Sequence, residues 1–444
     1  MEKTKVVYSW IGPRGPIWNT ELPSTLALTC VSFNAQVDSR FFGADDSWNM
    51  MFLHARDQFE LYPSAAIEED DTRPFVIPFS LVWRIGFENY FCGRTGLLEY
   101  SHIDFKLINL VKDGNGYIFL DFSVEAFIEP RHLNAMHSYF KHIHQIPLHK
   151  IIYLTGAVNA KEVYDKFCLD NNIPDDPSHR LTVMSYAASE HIFARNMAGG
   201  EPEYNVDFVP EKLFLSWNRR YRPHRIRMIT LLEKNNLVDR SYISFPKNDI
   251  ETPTTTFKQL ANILYKGTLF PHHGSVSITH DHINSLDNKL PLVLDGEEDI
   301  VQMCSDEHNV NRHYYQNSLV SLITETNYDN LEVTLTEKSF KPLKEKHPFI
   351  IVGVAGCLQG LRDLGYKTFG DFWDESYDTI TDSFDRMRKL DEILQEIGSW
   401  DHNKILEFKR QVKPILEHNY QVLKNSSRYN VMTKINNVIR GNNA

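Results

Sequence analysis

Cysteine is scarce: five residues, at 30, 92, 168, 304 and 357, in a chain of 444. They are odd in number and widely spaced, with no C-x-x-C pair. That excludes a disulfide framework and a thiolate zinc site and fits a reducing compartment. Long apolar runs are missing as well. The most apolar stretch, Phe349 to Leu358, falls far short of the ~18–20 residues of a membrane span. The opening Met1-Glu2-Lys3-Thr4-Lys5 and Val6–Ile11 are too polar and too short for a secretory leader, so a cytoplasmic location is expected. Positive charge is in deficit: 47 Lys+Arg against 58 Asp+Glu leave a net charge of −11. Such a chain lacks the global field of a protein that wraps nucleic acid, and only a local basic groove remains open to it. No internal repeat or low-complexity block is seen. What is present is core-forming material, 42% hydrophobic with 24% charged residues. At about 100–200 residues per domain this means two domains or three.

Segments 171–181 and 198–210 are dense in Gly, Pro and Asp and read as loops or linkers. They suggest a boundary near residue 205 and three parts: 1–205, 206–400 and a helical tail over 401–444. The first part offers short β-rich runs at Val6–Ile11, Tyr117–Phe122 and Lys150–Leu154. A helical stretch follows the last, with Val158, Val163, Phe167 and Cys168 near one face. The second part is clearer. Leu213–Ser216, Ser241–Phe245, Leu319–Thr324 and Pro348–Gly353 read as strands, the last of the continuous apolar kind found in parallel sheets. Pro223 opens a helix through Leu232, Thr334 or Thr336 opens another, and Leu358–Leu364 forms a third that ends at Gly365. Alternating strands and helices mean α/β. The tail repeats apolar residues at three- and four-residue steps (Phe384, Met387, Leu390, Leu394, Ile397; Ile405, Phe408, Val412, Ile415, Leu416), with Pro414 expected to kink or interrupt its helix.

Two segments carry chemistry. Trp217-Asn218-Arg219-Arg220-Tyr221-Arg222-Pro223-His224-Arg225 follows a strand and opens a helix. A helix N-terminus attracts anions, and guanidinium forks match phosphate oxygens. Cations there oppose the helix dipole unless an anion is bound. The bland alternative is a solvated basic loop paired with surface acids. In the second segment a buried strand ends in Glu325, and Thr334-Leu335-Thr336-Glu337-Lys338 starts a helix about ten residues on. At the carboxyl ends of parallel strands a carboxylate can accept ribose hydroxyls and a lysine can neutralise phosphate. Alternatively the threonine only caps the helix, Glu337 only favours its first turn, and Lys338 is merely solvated.

In this order the segments resemble the donor half of GT-B glycosyltransferases, and most closely the α1,3-fucosyltransferase family. That family has a strand ending in Phe-Glu-Asn-Ser, a Thr-Glu-Lys helix start, a Pro-Val-Val-x-Gly strand and an arginine on the helix after its first donor-domain strand. The matching pieces are Ile323-Thr324-Glu325-Thr326, Thr336-Glu337-Lys338, Pro348–Gly353 and Arg225. The run from Thr336 to Tyr377 also resembles uncharacterised glycosyltransferase-like proteins of phages and marine bacteria. The likeness spans roughly residues 211–380. Phe-Glu-Asn-Ser has become Thr-Glu-Thr-Asn, Pro342–His347 replaces a small-residue helix, and the first half shows no acceptor motif of the family.

The resemblance implies an α/β chain of GT-B type, with two Rossmann-like domains facing a cleft and the C-terminal helices packing back across them. It implies a nucleotide-diphosphate sugar as donor, with a GDP-sugar favoured, and a carbohydrate or other hydroxyl as acceptor. The donor-binding residues are then Asn218, Arg219, Arg225, Glu325, Thr336, Glu337, Lys338 and Lys341. Cations preorganised around a departing diphosphate do the electrostatic work that a metal does elsewhere. No Asp-x-Asp pair stands at a strand end, so a metal-independent, inverting transfer is expected. Asp45-Asp46 and Asp70-Asp71 fall in loops. His142-x-His144, His272-His273 and His280-x-His282 lack a third ligand at a useful spacing and read as exposed loop histidines. The general base is expected at Asp121 or Glu125, just past the Tyr117–Leu120 strand, with Glu21 and Glu99 behind them. Asp121 has the alternative of capping a turn. Two other functions stay open: a non-catalytic nucleotide- or nucleic-acid-binding protein, and a glycosyltransferase acting on bases of phage DNA, in which nucleic acid enters only as acceptor.

Overall fold

A computed structural model describes residues 3–8, 11–12, 15–16, 55, 57–63, 73–80, 105–123, 126, 128–195, 197, 200–249, 252–265, 278–294, 311–426 and 429–441. The chain is α/β and divides into two compact units, residues 1–188 with 427–444, and residues 189–426.

Unit 1 is built on a six-stranded sheet of order β4-β1-β5-β6-β7-β8. Its strands are β1 (Thr4–Tyr8), β4 (Phe59–Pro63), β5 (Phe75–Ser80), β6 (Gly116–Phe122), β7 (Ile151–Thr155) and β8 (Thr182–Ser185), all paired in parallel. A short antiparallel pair, β2 (Ile11–Gly12) and β3 (Gly15–Pro16), stands apart. The central strands are buried on both faces, as parallel strands must be. Ile118, Leu120 and Phe122 of β6, with Ile151 and Tyr153 of β7, pack against α2 (Pro130–His137) and α3 (Ala160–Asp170), beside α1 (Phe105–Asp113). Their alternates Phe119, Ile152 and Leu154 face Met432, Ile435 and Ile439 of the last helix among the described residues, α13 (Tyr429–Ile439).

Unit 2 holds a four-stranded parallel sheet of order β10-β9-β11-β12, from β9 (Lys212–Trp217), β10 (Ser241–Ser244), β11 (Ser318–Thr324) and β12 (Phe349–Val352). Its helices are α4 (Ala188–Arg195), α5 (Pro223–Lys234), α6 (Phe257–Tyr265), α7 (His280–Lys289), α8 (Arg312–Gln316), α9 (Glu337–Lys344), α10 (Cys357–Asp363), α11 (Ser383–Gly398) and α12 (His402–Lys424). Pro223 sits at N1 of α5, where its missing N–H costs no bond. Gly365, at φ +93°, turns the chain after α10.

Two expectations change here. The 198–210 segment is not where the units divide, because it is fastened to unit 2. Arg312 Nη2 donates to the Gly200 carbonyl (3.1 Å), Lys346 Nζ to Glu201 Oε1 (2.5 Å) and Lys409 Nζ to the Phe208 carbonyl (2.7 Å). The 401–444 tail is likewise divided, α12 belonging to unit 2 and α13 to unit 1. Pro414 does not interrupt α12. It is exposed, so the carbonyl it leaves without a donor is open to water, while Val412 and Leu416 stay buried.

Candidate functional site in unit 2

The chain leaves β9 for β10 on one side and returns to β11 on the other, so strand order reverses between β9 and β11. The crevice outside the carboxyl ends of two such strands is where open α/β sheets bind ligands. Asn218 closes the end of β9. Its Oδ1 accepts from Thr324 Oγ1 (2.7 Å), its Nδ2 donates to Ser216 Oγ (3.0 Å), and its N–H donates to the Ser244 carbonyl (2.9 Å). It is buried and fully used in tying three strand ends together, which is not the ligand-facing role expected of it.

Arg225 spans the reversal. From the first turn of α5, Nη2 donates to the carbonyls of Thr324 (3.2 Å) and Glu325 (3.3 Å), and Nη1 donates to that of Arg220 (3.3 Å). The side chain is 5% exposed and its Nε has no partner. Burial, with Arg222 beside it, pulls its pKa down to about 10. The Nε of half-buried Arg222 is unpartnered too. A third guanidinium, Arg386 of α11, is 2% exposed. Its Nη1 donates to the carbonyls of Ile380 (2.6 Å) and Thr381 (3.2 Å), its Nη2 donates to that of Tyr328, and its Cζ lies 4.3 Å from the centre of the Tyr328 ring. None of the three forms an ion pair with a carboxylate among the described residues. Buried cations held by carbonyls alone are costly, and they leave a positive field at a helix N-terminus whose dipole has the same sign.

His224, the neighbour of Arg225 on α5, stacks on Tyr328 (5.1 Å between centroids, 12° between planes), and its Nε2 lies 2.9 Å from the Glu325 carbonyl. Burial and then the Arg225 charge lower its pKa to about 3, with Arg222 and Arg386 adding to the effect. It is neutral at any ordinary pH.

The Glu325 carboxylate does not face a ligand as expected. Oε1 accepts from the Thr336 N–H (3.1 Å) and Ser339 Oγ (2.6 Å), and Oε2 accepts from Thr336 Oγ1 (2.6 Å) and the Thr326 N–H (3.2 Å). The acid clamps the start of α9 to the end of β11, and Thr336, N-cap of α9, is occupied with it. The space is tight: a Cβ on Gly353 would meet Cys357 Sγ at 2.8 Å and Glu325 Cβ at 3.4 Å. Glu337 and Lys338 do remain at the surface of the site, 19% and 25% exposed, with Lys338 Nζ 2.6 Å from Glu337 Oε1 and 3.2 Å from Thr336 Oγ1. Burial would raise the Glu337 pKa, but the Lys338 charge and hydrogen bond and the Lys341 charge bring it to about 2. Arg219 is half-buried on the turn before α5.

Other places are closed or distant. The N-terminus of α10 is filled by the chain itself, Asp378 accepting from the N–H groups of Leu358 and Gln359 at 2.9 Å. A cavity of 590 Å³ beside Lys212, Arg240 and Trp400 lies at the amino edge of the sheet, away from the site. In unit 1, Asp121 at the end of β6 takes its capping alternative, Oδ1 accepting from the Ser123 N–H (2.9 Å) and Oγ (2.6 Å). Glu125, Glu21, Glu99, the two aspartate pairs and His272-His273 lie outside the described residues. His280 and His282 are not loop residues: they open α7, and His282 Nδ1 accepts from the Thr279 N–H in a capping box. No group of three metal-binding side chains occurs among the described residues. No described helix is long and apolar enough to cross a membrane. Sequence reasoning missed His224 and Arg386. His224 stood inside the basic turn without a signal of its own, and Arg386 reads in the sequence as a solvated position next to the apolar stripe through Met387 and Leu390.

No protein-family model matches the chain, and no curated protein matches it in sequence. Among solved structures it is similar to an α,α-trehalose-phosphate synthase (UDP-forming) from Burkholderia vietnamiensis, at 12% identity and a TM-score of 0.42, over 90% of this chain and 78% of that one.

Proposed function

We propose that the protein is a glycosyltransferase of GT-B type that takes its sugar from a nucleotide-diphosphate donor bound at the carboxyl edge of β9 and β11. One observation carries the reading: Arg222, Arg225 and Arg386 converge there with no carboxylate paired to any of them among the described residues. Glu325 and Glu337 reach Arg225 only through their fields; a diphosphate supplies a directly bound negative charge, which grows as the sugar departs, so fixed cations stabilise the transition state more than the ground state. Arg225 and Arg222 are assigned to the diphosphate, and Lys338 joins them once Glu337 turns to the ribose. Arg219 and Lys341 add field around the same anion. Glu325, Thr336 and Asn218 hold the frame. The transfer is taken as inverting and independent of metal, with a GDP-sugar favoured by the resemblance of the donor half. Unit 1 is taken as the acceptor side, with Glu125 as base ahead of Asp121, which is buried and caps the turn at Ser123.

The test is calorimetric titration with GDP, UDP and the matching nucleosides. Arg225→Ala and Lys338→Ala should each weaken diphosphate binding by about tenfold or more, the worth of a charge-assisted hydrogen bond, and leave nucleoside binding unchanged. Equal losses for both ligand classes would remove the phosphate role. Tight nucleotide binding without sugar release or transfer, with or without chelator, would point to the non-catalytic alternative.

A further inference from the structure

The His224 ring has a fixed tautomer. A carbonyl oxygen can only accept, so the nitrogen 2.9 Å from the Glu325 carbonyl, Nε2, carries the proton. Nδ1 is then a bare lone pair, and it has no hydrogen-bond partner among the described residues. The ring is 4% exposed and stacked on Tyr328, and a half-turn within its plane would carry Nε2 away from the Glu325 carbonyl, so that bond fixes where Nδ1 lies. A lone pair held rigidly inside an anion site is out of place there unless something uses it.

Chemistry narrows the occupant. A phosphate oxygen is itself an acceptor and is repelled by a bare nitrogen lone pair. A metal ion would suit the nitrogen, but Arg222, Arg225 and Arg386 all lie close enough to depress the ring's basicity, and their charges oppose a second cation. The remaining class is a neutral group that brings its own proton. Resting on the donor reading above, we propose that His224 is a specificity-determining residue whose Nδ1 accepts a hydrogen bond from a hydroxyl of the nucleotide sugar, on the ribose or on the transferred sugar. The arginines select the charged part of the donor, and His224 selects the hydroxyl next to it.

Two substitutions separate the two nitrogens. His224→Gln places an amide N–H near the position of Nε2 and removes the acceptor at Nδ1. His224→Asn places an amide oxygen near Nδ1 and removes the donor to Glu325. Both variants and the parent are titrated with pyrophosphate, UDP and GDP, their 2′,3′-dideoxy forms, and UDP-glucose and GDP-mannose, with thermal melts to check folding. His224→Gln should bind the hydroxyl-bearing ligand about tenfold more weakly, one hydrogen bond's worth, and pyrophosphate as before, while His224→Asn keeps most of the affinity. A loss already present for the diphosphates and absent for their dideoxy forms identifies the ribose, and a loss seen only for the sugar conjugates identifies the transferred sugar. The idea is overturned if the Gln variant binds every ligand like the parent, if the dideoxy forms lose as much as the ribose forms, or if pyrophosphate is lost in step, which makes His224 a prop for Arg225. If the parent binds none of these ligands, the donor reading fails and the His224 assignment falls with it. If Arg225→Ala weakens diphosphate binding while His224→Gln binds every ligand like the parent, the donor reading stands and only the His224 assignment fails.

Discussion

Two glutamates twelve residues apart have opposite employment. Glu325 is fully buried and accepts four hydrogen bonds, from Thr336 twice and from Thr326 and Ser339 once each. An amide in its place would turn N–H groups toward N–H and O–H donors. Glu325→Gln should therefore cost about 2–4 kcal/mol, from lost charge-assisted bonds and a buried group left unsatisfied, and lower the melting temperature by several degrees. Glu337 holds only Lys338 at the edge of the site. Glu337→Gln should leave the melting temperature nearly unchanged and weaken nucleotide binding instead. Matching differential scanning calorimetry and titration on the two variants would settle this, and a stable, weakly binding Glu325→Gln would invert the assignment.

Among the elements, α11 is the one whose role outruns its appearance. Its apolar stripe was plain in the order Phe384, Met387, Leu390, Leu394, Ile397, and the helix follows it from Ser383 to Gly398. Nothing in that spacing says that Arg386, one step off the stripe, is buried and bonded to three carbonyls. Arg386→Met should cost about 2–3 kcal/mol by stripping those carbonyls, and should weaken diphosphate binding by removing one of the fixed positive charges. Arg388→Met, which removes exposed pairs to Asp385 and Glu392, should cost less than about 1 kcal/mol. Urea melts of the two variants check the contrast. The strands of unit 2 were legible for a plain reason: parallel strands covered on both faces are written as unbroken apolar runs. The start of α5 was legible from Pro223, and that of α9 from the choice of Thr334 or Thr336, of which Thr336 is the cap. The role of Glu325 was not, since a ribose acceptor and an internal clamp both put a carboxylate at a strand end. Nor was the division of the chain, because the Gly- and Pro-rich 198–210 segment is held down by Lys346 and Lys409 from far along the sequence.

For the whole molecule, acid is the condition to watch. Burial lowers His137 in unit 1 to about 4, and lowers His224 and His347 in unit 2 to about 3 and about 4. Unfolded, each titrates near 6.5. Between those values the unfolded chain binds more protons, so stability falls as the pH falls below about 6.5. By pH 5 each buried histidine should have removed about 2 kcal/mol. The buried carboxyls of Glu190 and Asp378, raised chiefly by burial, oppose the trend at its acid end. The urea midpoint should drop from pH 7 to pH 5, and a flat or rising midpoint would contradict the neutral, buried state of these rings. The return of α13 to unit 1 bears on how the protein is made. Asn436 accepts from Thr4 and Thr433 from Gln58, and Met432, Ile435 and Ile439 cover one face of the sheet. A ribosome makes Thr4 432 residues before its partner Asn436. The whole of unit 2 lies in the chain between the two parts of unit 1, so unit 1 must wait with an apolar sheet face bare until α13 has been made. That interval is when a chaperone has something to hold, and a chain cut short before Tyr429 keeps that sheet face bare and sticky.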